Sequence, residues 1–215
     1  MYHFTLRLTR VECLSEQWHE PGQDEMRVFG FGIARKNPPP FKIGFRSLGG
    51  FGTGEVKTSG VVPQTWYEAD LPDDGLEVLL YAWLVEEDSG GVSEGAADVE
   101  ATMMASYRDH STKLFAAGFP RECIPFTAFY RSIPKVQAAL SEAATDGINN
   151  DELFAPWDLL LRHEGASGTD FEKEQNLQMT KDDALYQVTI SYGYQYMPGI
   201  KVAGDAAEIF EGFEL

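Results

Sequence analysis

The sequence predicts a mainly β protein: an antiparallel β-sandwich interrupted by a two-helix insertion. Three observations lead there. Short apolar–polar alternations recur along the first ninety residues and return after Trp157, the pattern of strands with one buried face. Between them, the apolar residues change to steps of three and four, the period of a helix. No strand–helix–strand alternation and no fixed repeat is present, which argues against a parallel α/β sheet or a solenoid. Strands at such spacing predict roughly seven to nine of them in a sandwich. Its expected extent is residues 1–94 and 148–203 as one discontinuous domain, with 95–147 as the helical insertion and 204–215 as an acidic tail.

Phe4, Leu6 and Leu8 sit at period two, and Val11 and Cys13 continue the pattern after a slip that a bulge near Arg10 would produce. After a loop around Pro21-Gly22, Phe29, Phe31 and Ile33 share one face of a second strand. Gly30 and Gly32 lie on its other face, where the missing side chains let another backbone or a large side chain approach. Asn37-Pro38-Pro39-Pro40 is read as a strand breaker, with Phe41, Ile43 and Phe45 starting the next strand. Residues 48–60 are rich in glycine but lack a GxxxxGK[ST] or GxGxxG run between strand and helix, so they read as a loose hairpin, not a phosphate cradle. Trp66 and Tyr67 mark a short aromatic strand, closed by the turn Leu71-Pro72-Asp73-Asp74-Gly75.

The longest apolar run follows, Leu76 to Val85, with Glu77 as its one charge. Ten residues are too few to cross a bilayer as a helix. Apolar residues on both sides of a strand predict burial on both faces, hence a central position. The run breaks directly into Glu86-Glu87-Asp88 and then Ser89-Gly90-Gly91. Beyond it, Val99, Met103, Tyr107, His110, Leu114 and Ala117 form one helical stripe, with His110 expected as a core histidine. Val136, Leu140 and Ala144 form a second, expected to start at Ser132–Pro134. The connector between them holds Phe119, Phe126, Phe129 and Tyr130, which are expected to be covered by the main body. Strand character resumes at Trp157. Tyr186, Val188, Ile190, Tyr192, Tyr194 and Tyr196 give the cleanest alternation in the chain.

Thirty-four acidic residues against seventeen basic leave a net charge of −17. Phosphate backbones would be repelled, which argues against nucleic acid, and anionic membranes would be approached only through calcium. A surface of this sign suits high solubility, cation binding or a basic partner. The N-terminus has no continuous apolar run of the signal-peptide kind. The expectation is a soluble protein, cytoplasmic or exported by a route without such a peptide. Cys13 and Cys123 show no CxxC spacing and are expected as buried free thiols, with a pairing across the fold as the alternative.

The acidic break carries the candidate site. Glu86, Asp88 and Glu94, directly after a strand containing Trp83, resemble the third calcium-binding loop of C2 domains. The run from Glu20 to Val28 resembles part of that family's first loop, with Asp24 matching its second aspartate and Trp18 standing where the first would be. Glutamate twice replaces the usual aspartate, and the helical insertion departs from the family pattern. The resemblance implies a C2-like sandwich and a calcium site of Asp24, Glu86, Asp88 and Glu94, with calcium-dependent phospholipid binding as the activity. Calcium wants about six to eight oxygens, which two loops at one end of a sandwich can supply with carbonyls and water. The simpler alternative is a solvated acidic rim in a chain already strongly acidic.

Four histidines, His3, His19, His110 and His163, allow an acid–base or metal site, for example His163 with Glu164 and Asp158. No GxSxG or HExxH run accompanies them, which places a hydrolase third. The leading expectation is a non-catalytic module that binds a protein partner, as part of a larger bacterial-type assembly or as a secreted effector, with calcium as a stabiliser. Its tyrosine-rich last strand and aromatic connector supply side chains suited to interfaces.

Overall fold

The computed structural model describes residues 1–15, 24–58, 64–87, 91–145 and 151–198. In chain order, the described elements are β1 (Tyr2–Ser15), β2 (Asp24–Ala34), β3 (Asn37–Phe51), β4 (Val56–Lys57), β5 (Gln64–Leu71) and β6 (Glu77–Glu86), then α1 (Gly91–Ala116) and α2 (Ile124–Thr145). The chain continues with β7 (Glu152–Leu153), β8 (Trp157–Arg162), β9 (Phe171–Lys181) and β10 (Ala184–Tyr196). All pairings are antiparallel. The first sheet sets β1 beside β10 and then β9, with β5 and β4 on the other side of β1. The second runs β3, β2, β6, and then β8 and β7. The protein is a mainly β sandwich with two helices inserted between β6 and β7.

The apolar run at Leu76–Val85 is explained by what lies on either side of β6. Val78, Leu80, Ala82 and Leu84 face the first sheet and join the inter-sheet core with Phe4, Leu6, Val188 and Tyr194. Leu79, Trp83 and Val85 face the helices, in a second core with Phe29, Phe31, Ile33, Phe129 and Leu140. The molecule thus has three layers, and β6 is in the middle one. Trp83 also donates its indole N–H to Gln137 Oε1 at 2.8 Å, tying strand to helix. The outer face of the first sheet carries neither helix.

Gly30 and Gly32 act as the sequence suggests. A Cβ on Gly30 would sit 2.6 Å from the Ala82 Cβ and 2.7 Å from the Tyr81 carbonyl. At Gly32 the space is filled by the ring of Phe41, which stacks on Tyr67 at 3.6 Å. The slip near Arg10 is a register shift in the β1–β10 ladder between Leu8 and Arg10.

Several expectations are corrected. The proline run does not break a strand; it begins β3, an edge strand of the second sheet, where missing amide hydrogens cost no ladder partner on the open side. Residues 48–51, read as hairpin, belong to the same strand. α1 begins at Gly91, so Glu94 lies in a helical turn and not in a loop. α2 begins at Ile124, not near Ser132, and much of the expected connector is helix. Pro125 near its start fits the first turn. Pro134 lies inside the helix on its exposed side, where water can serve the freed carbonyl. His110 is only half-buried, and Cys123 is exposed whereas Cys13 is buried; the two are not joined in a disulfide. The tail at 204–215 lies outside the described residues.

Candidate functional site

Two ends of the molecule hold the chemistry, and α1 separates them. Its 26 residues place Gly91 and Ala116 about 39 Å apart.

At the first end, β2 begins and β6 finishes. Met26 pairs with Glu86, so the chain on either side of Asp24 and Asp88 comes together there. Glu86 and Glu87 are 3% and 4% exposed, and Asp151 is 6% exposed. Carboxylates so far from water need partners. Glu87 pairs with Arg27, and Asp151 Oδ2 accepts the Val92 amide at 2.7 Å, satisfying an N-terminal donor of α1. Glu152, paired across the ladder with Glu86, bridges Lys181 at 2.8 Å. Glu94 is exposed in the first turn of α1, where a negative charge complements the helix dipole.

Of the four expected calcium ligands, therefore, Glu86 and Glu94 are placed at one end with Asp24, the first residue of β2. Asp88 and the Asp24 side chain lie outside the described residues. Glu87, Asp151, Glu152 and Arg27 join them, and sequence reasoning did not assign these roles. Asp151 and Glu152 lie more than sixty positions from Glu86, so spacing gave no hint of them. Among the described residues no three His, Cys, Asp or Glu side chains converge to hold a metal. Glu87 and Glu152 are engaged with cations and Asp151 with a helix amide.

At the other end is the apex of the α1–α2 hairpin. Residues 115–123 form an unbroken run of exposed positions. Phe115 is 59% exposed and Phe119 41%; nearby on α2, Tyr130 is 45%. The expectation that the connector's aromatics are covered holds for Phe129 alone in full, with Phe126 half-buried. The helical period explains the split: Phe129 and Ile133 turn inward, which leaves Tyr130 and Arg131 outward. Guanidinium groups lie over the exposed rings, Arg121 at 5.5 Å from Phe115 and Arg131 at 5.8 Å from Phe119. Arg35 anchors the apex to the second sheet: it bridges Glu77 at 2.5 Å, donates to the Glu122 carbonyl at 3.3 Å and covers Phe126 at 4.6 Å. Tyr130 donates to Asp158 Oδ2 at 3.0 Å; partial burial and that carboxylate push its hydroxyl up to about 12. Residues 108–135 carry five basic against two acidic side chains, so this end is positive in a negative chain.

The open face of the first sheet has a shallow concavity of about 500 Å³ over Gly193, lined by His3, Thr5, Arg7, Glu68, Asp170 and Glu172. Several of its polar groups are already satisfied. His3 Nδ1 lies 2.9 Å from Asp70, Asp170 accepts the Tyr196 amide at 2.8 Å and Glu172 accepts the Ser191 hydroxyl at 3.2 Å. His163 does not form an acid–base group with Glu164 and Asp158. Its ring packs among Tyr2, Phe171 and Tyr194, Glu164 bridges Lys173, and Asp158 is held by Tyr130. His19 lies outside the described residues.

Compared with known proteins, the chain matches no protein-family model, no curated protein sequence and no solved structure. No described helix is long and apolar enough to cross a membrane.

Proposed function

We propose that the protein is a non-catalytic interaction module whose inserted helices form the docking arm, carried by a discontinuous sandwich of β1–β6 and β7–β10. The observation that carries this reading is the apex. Phe115, Phe119 and Tyr130 stand in water beside Arg121 and Arg131, aromatic and arginine side chains of the kinds enriched at interfaces. The rest of the hairpin is packed on Trp83 and Phe29 through a buried apolar face, which lowers the cost of ordering the apex. Asp158 and Glu122 lie within the same surface, which suits a protein partner better than a lipid bilayer. The test is co-purification from native extract with Phe115→Ser/Phe119→Ser as control. Loss of one defined partner in that variant, with an unchanged melting temperature and Cys123 shielded from alkylation in the wild-type complex, supports the reading. Equal capture by both proteins refutes it.

The second reading is a calcium-stabilised, C2-like module that binds phospholipid through its acidic end. It is favoured by the side-by-side ends of β2 and β6 and by the sandwich architecture. Melting with calcium and with chelator tests it: a calcium-dependent rise that disappears in Glu86→Gln/Asp88→Asn supports a site, and superimposed curves end it.

A further inference from the structure

Seven large apolar side chains are exposed among the described residues, and six of them fall into two groups. Phe115, Phe119 and Tyr130 are at the apex, with Leu160 on the neighbouring β8. Leu14 and Val56, 37% and 40% exposed, lie at the far end of the first sheet. There, Val56 pairs with Glu12, and Ser15 donates to the Asp183 carbonyl at 2.5 Å, which puts Leu14 next to the exposed turn Asp182-Asp183. Lys181, before that turn, reaches Glu152 and so joins this corner to the acidic end of β6. The first group thus stands beside a surplus of positive charge; around the second the pairs Arg10–Glu12, Lys57–Glu55 and Lys181–Glu152 offset one another, and the exposed Asp182 and Asp183 leave it negative.

We propose that the apex of one copy docks on the Leu14–Val56–Asp183 corner of a second copy, giving a head-to-tail contact. This rests on the reading of the apex as the docking arm and names its partner. Charge complementarity carries it. The segment 108–135 has a surplus of three positive charges, while the remainder of the chain carries the large acidic excess. α1 spans about 39 Å between the apex and the acidic end to which Lys181 and Glu152 join this corner, several times the screening length of about 8 Å at physiological salt, so the carboxylates of the corner do not screen the apex of their own copy. An apex-to-apex dimer would bring Arg121 and Arg131 against their own copies, which like charge disfavours. A contact between two different patches does not close on itself in a pair, so it leads to chains or rings.

The test uses the full chain in sedimentation velocity over a wide concentration range, at low and at high salt. Three further samples are Phe115→Ser/Phe119→Ser, Val56→Lys/Asp183→Lys, and an equal mixture of the two. At low salt the wild type should show its average mass rising past that of a dimer with concentration and falling back as salt is added. Each variant alone should remain monomeric with a wild-type melting curve. The mixture should form a heterodimer and stop there, because only one intact pair of ends remains. In it, Cys123 alkylation should slow on the Val56→Lys/Asp183→Lys copy alone. A wild type that is monomeric throughout overturns the proposal, as does association surviving in either variant or a mixture that fails to pair. If self-association is absent while a foreign partner is still lost with the apex rings, the interaction module stands and this inference falls. If neither depends on the apex, both fall.

Discussion

The two ends of α1 use the same residue classes in opposite ways. At the acidic end the charges are buried: Glu86, Glu87 and Asp151 are nearly removed from water and engaged, so they hold β2, β6 and the start of α1 together. At the apex the aromatic rings are exposed and the charges lie over them. The lesson is that burial, not residue type, separates structure from recognition. Substitutions at the acidic end should cost stability, and those at the apex should cost binding.

The largest effect expected is from Arg27→Met, which takes the cation away from the buried Glu87 carboxylate and should lower stability by about 3 kcal/mol in denaturant titration. A loss below about 0.5 kcal/mol, the size of an ordinary surface change, would erase the contrast between the ends. Gly30→Ala measures the middle layer against both. Its Cβ would meet the backbone of β6, which cannot give way, so a loss of about 2 kcal/mol is expected. Asp151→Ala removes the acceptor of the Val92 amide, and by the usual worth of such caps should cost about 1 kcal/mol, read as a lower melting temperature.

Alkali should act away from the acidic carboxylates. Burial raises the hydroxyls of Tyr67, Tyr81, Tyr107, Tyr192 and Tyr194, and Tyr130 is pushed up to about 12. The folded chain therefore keeps protons that unfolded tyrosines release near their ordinary value of about 10. Their contribution is fully present below about pH 10 and declines as pH rises from there, that of Tyr130 being lost through about 12. Melting temperature should fall over that interval, and less steeply in Tyr130→Phe. The smallest effect belongs to the apex: Phe115→Ser should change stability by less than about 0.5 kcal/mol, since the ring is 59% exposed.

Much of the strand framework was legible from the residues. Period-two alternation marked β1, β2 and β10, and the doubly apolar run marked β6 as central, because a strand with apolar residues on both sides must be covered twice. The glycines of β2 announced close approach before the identity of the neighbours was visible. The proline run in β3 misled, because whether proline breaks a strand depends on whether that strand has an open edge. The start of α2 misled as well: Pro134 looks like a helix start until Pro125 supplies a better one. For the site, the spacing of Glu86, Asp88 and Glu94 indicated an acidic end but not its partners. Arg27 comes from a neighbouring strand, and Asp151 and Glu152 return to that end only after both helices.

By itself the sequence determined the fold class and that β6 is covered on both faces, since hydrophobic period and turn chemistry are local and each strand states which of its faces must be buried; that the helices supply the second cover was decided by the tertiary structure. The sequence also determined the sign of the protein's charge. Tertiary structure alone decided which charges are buried and which aromatics are left in water. On α1 the inward position is taken by Leu114, so Phe115 beside it faces water, and Phe119 lies past the end of the helix; both are as apolar as Phe129 but are left exposed.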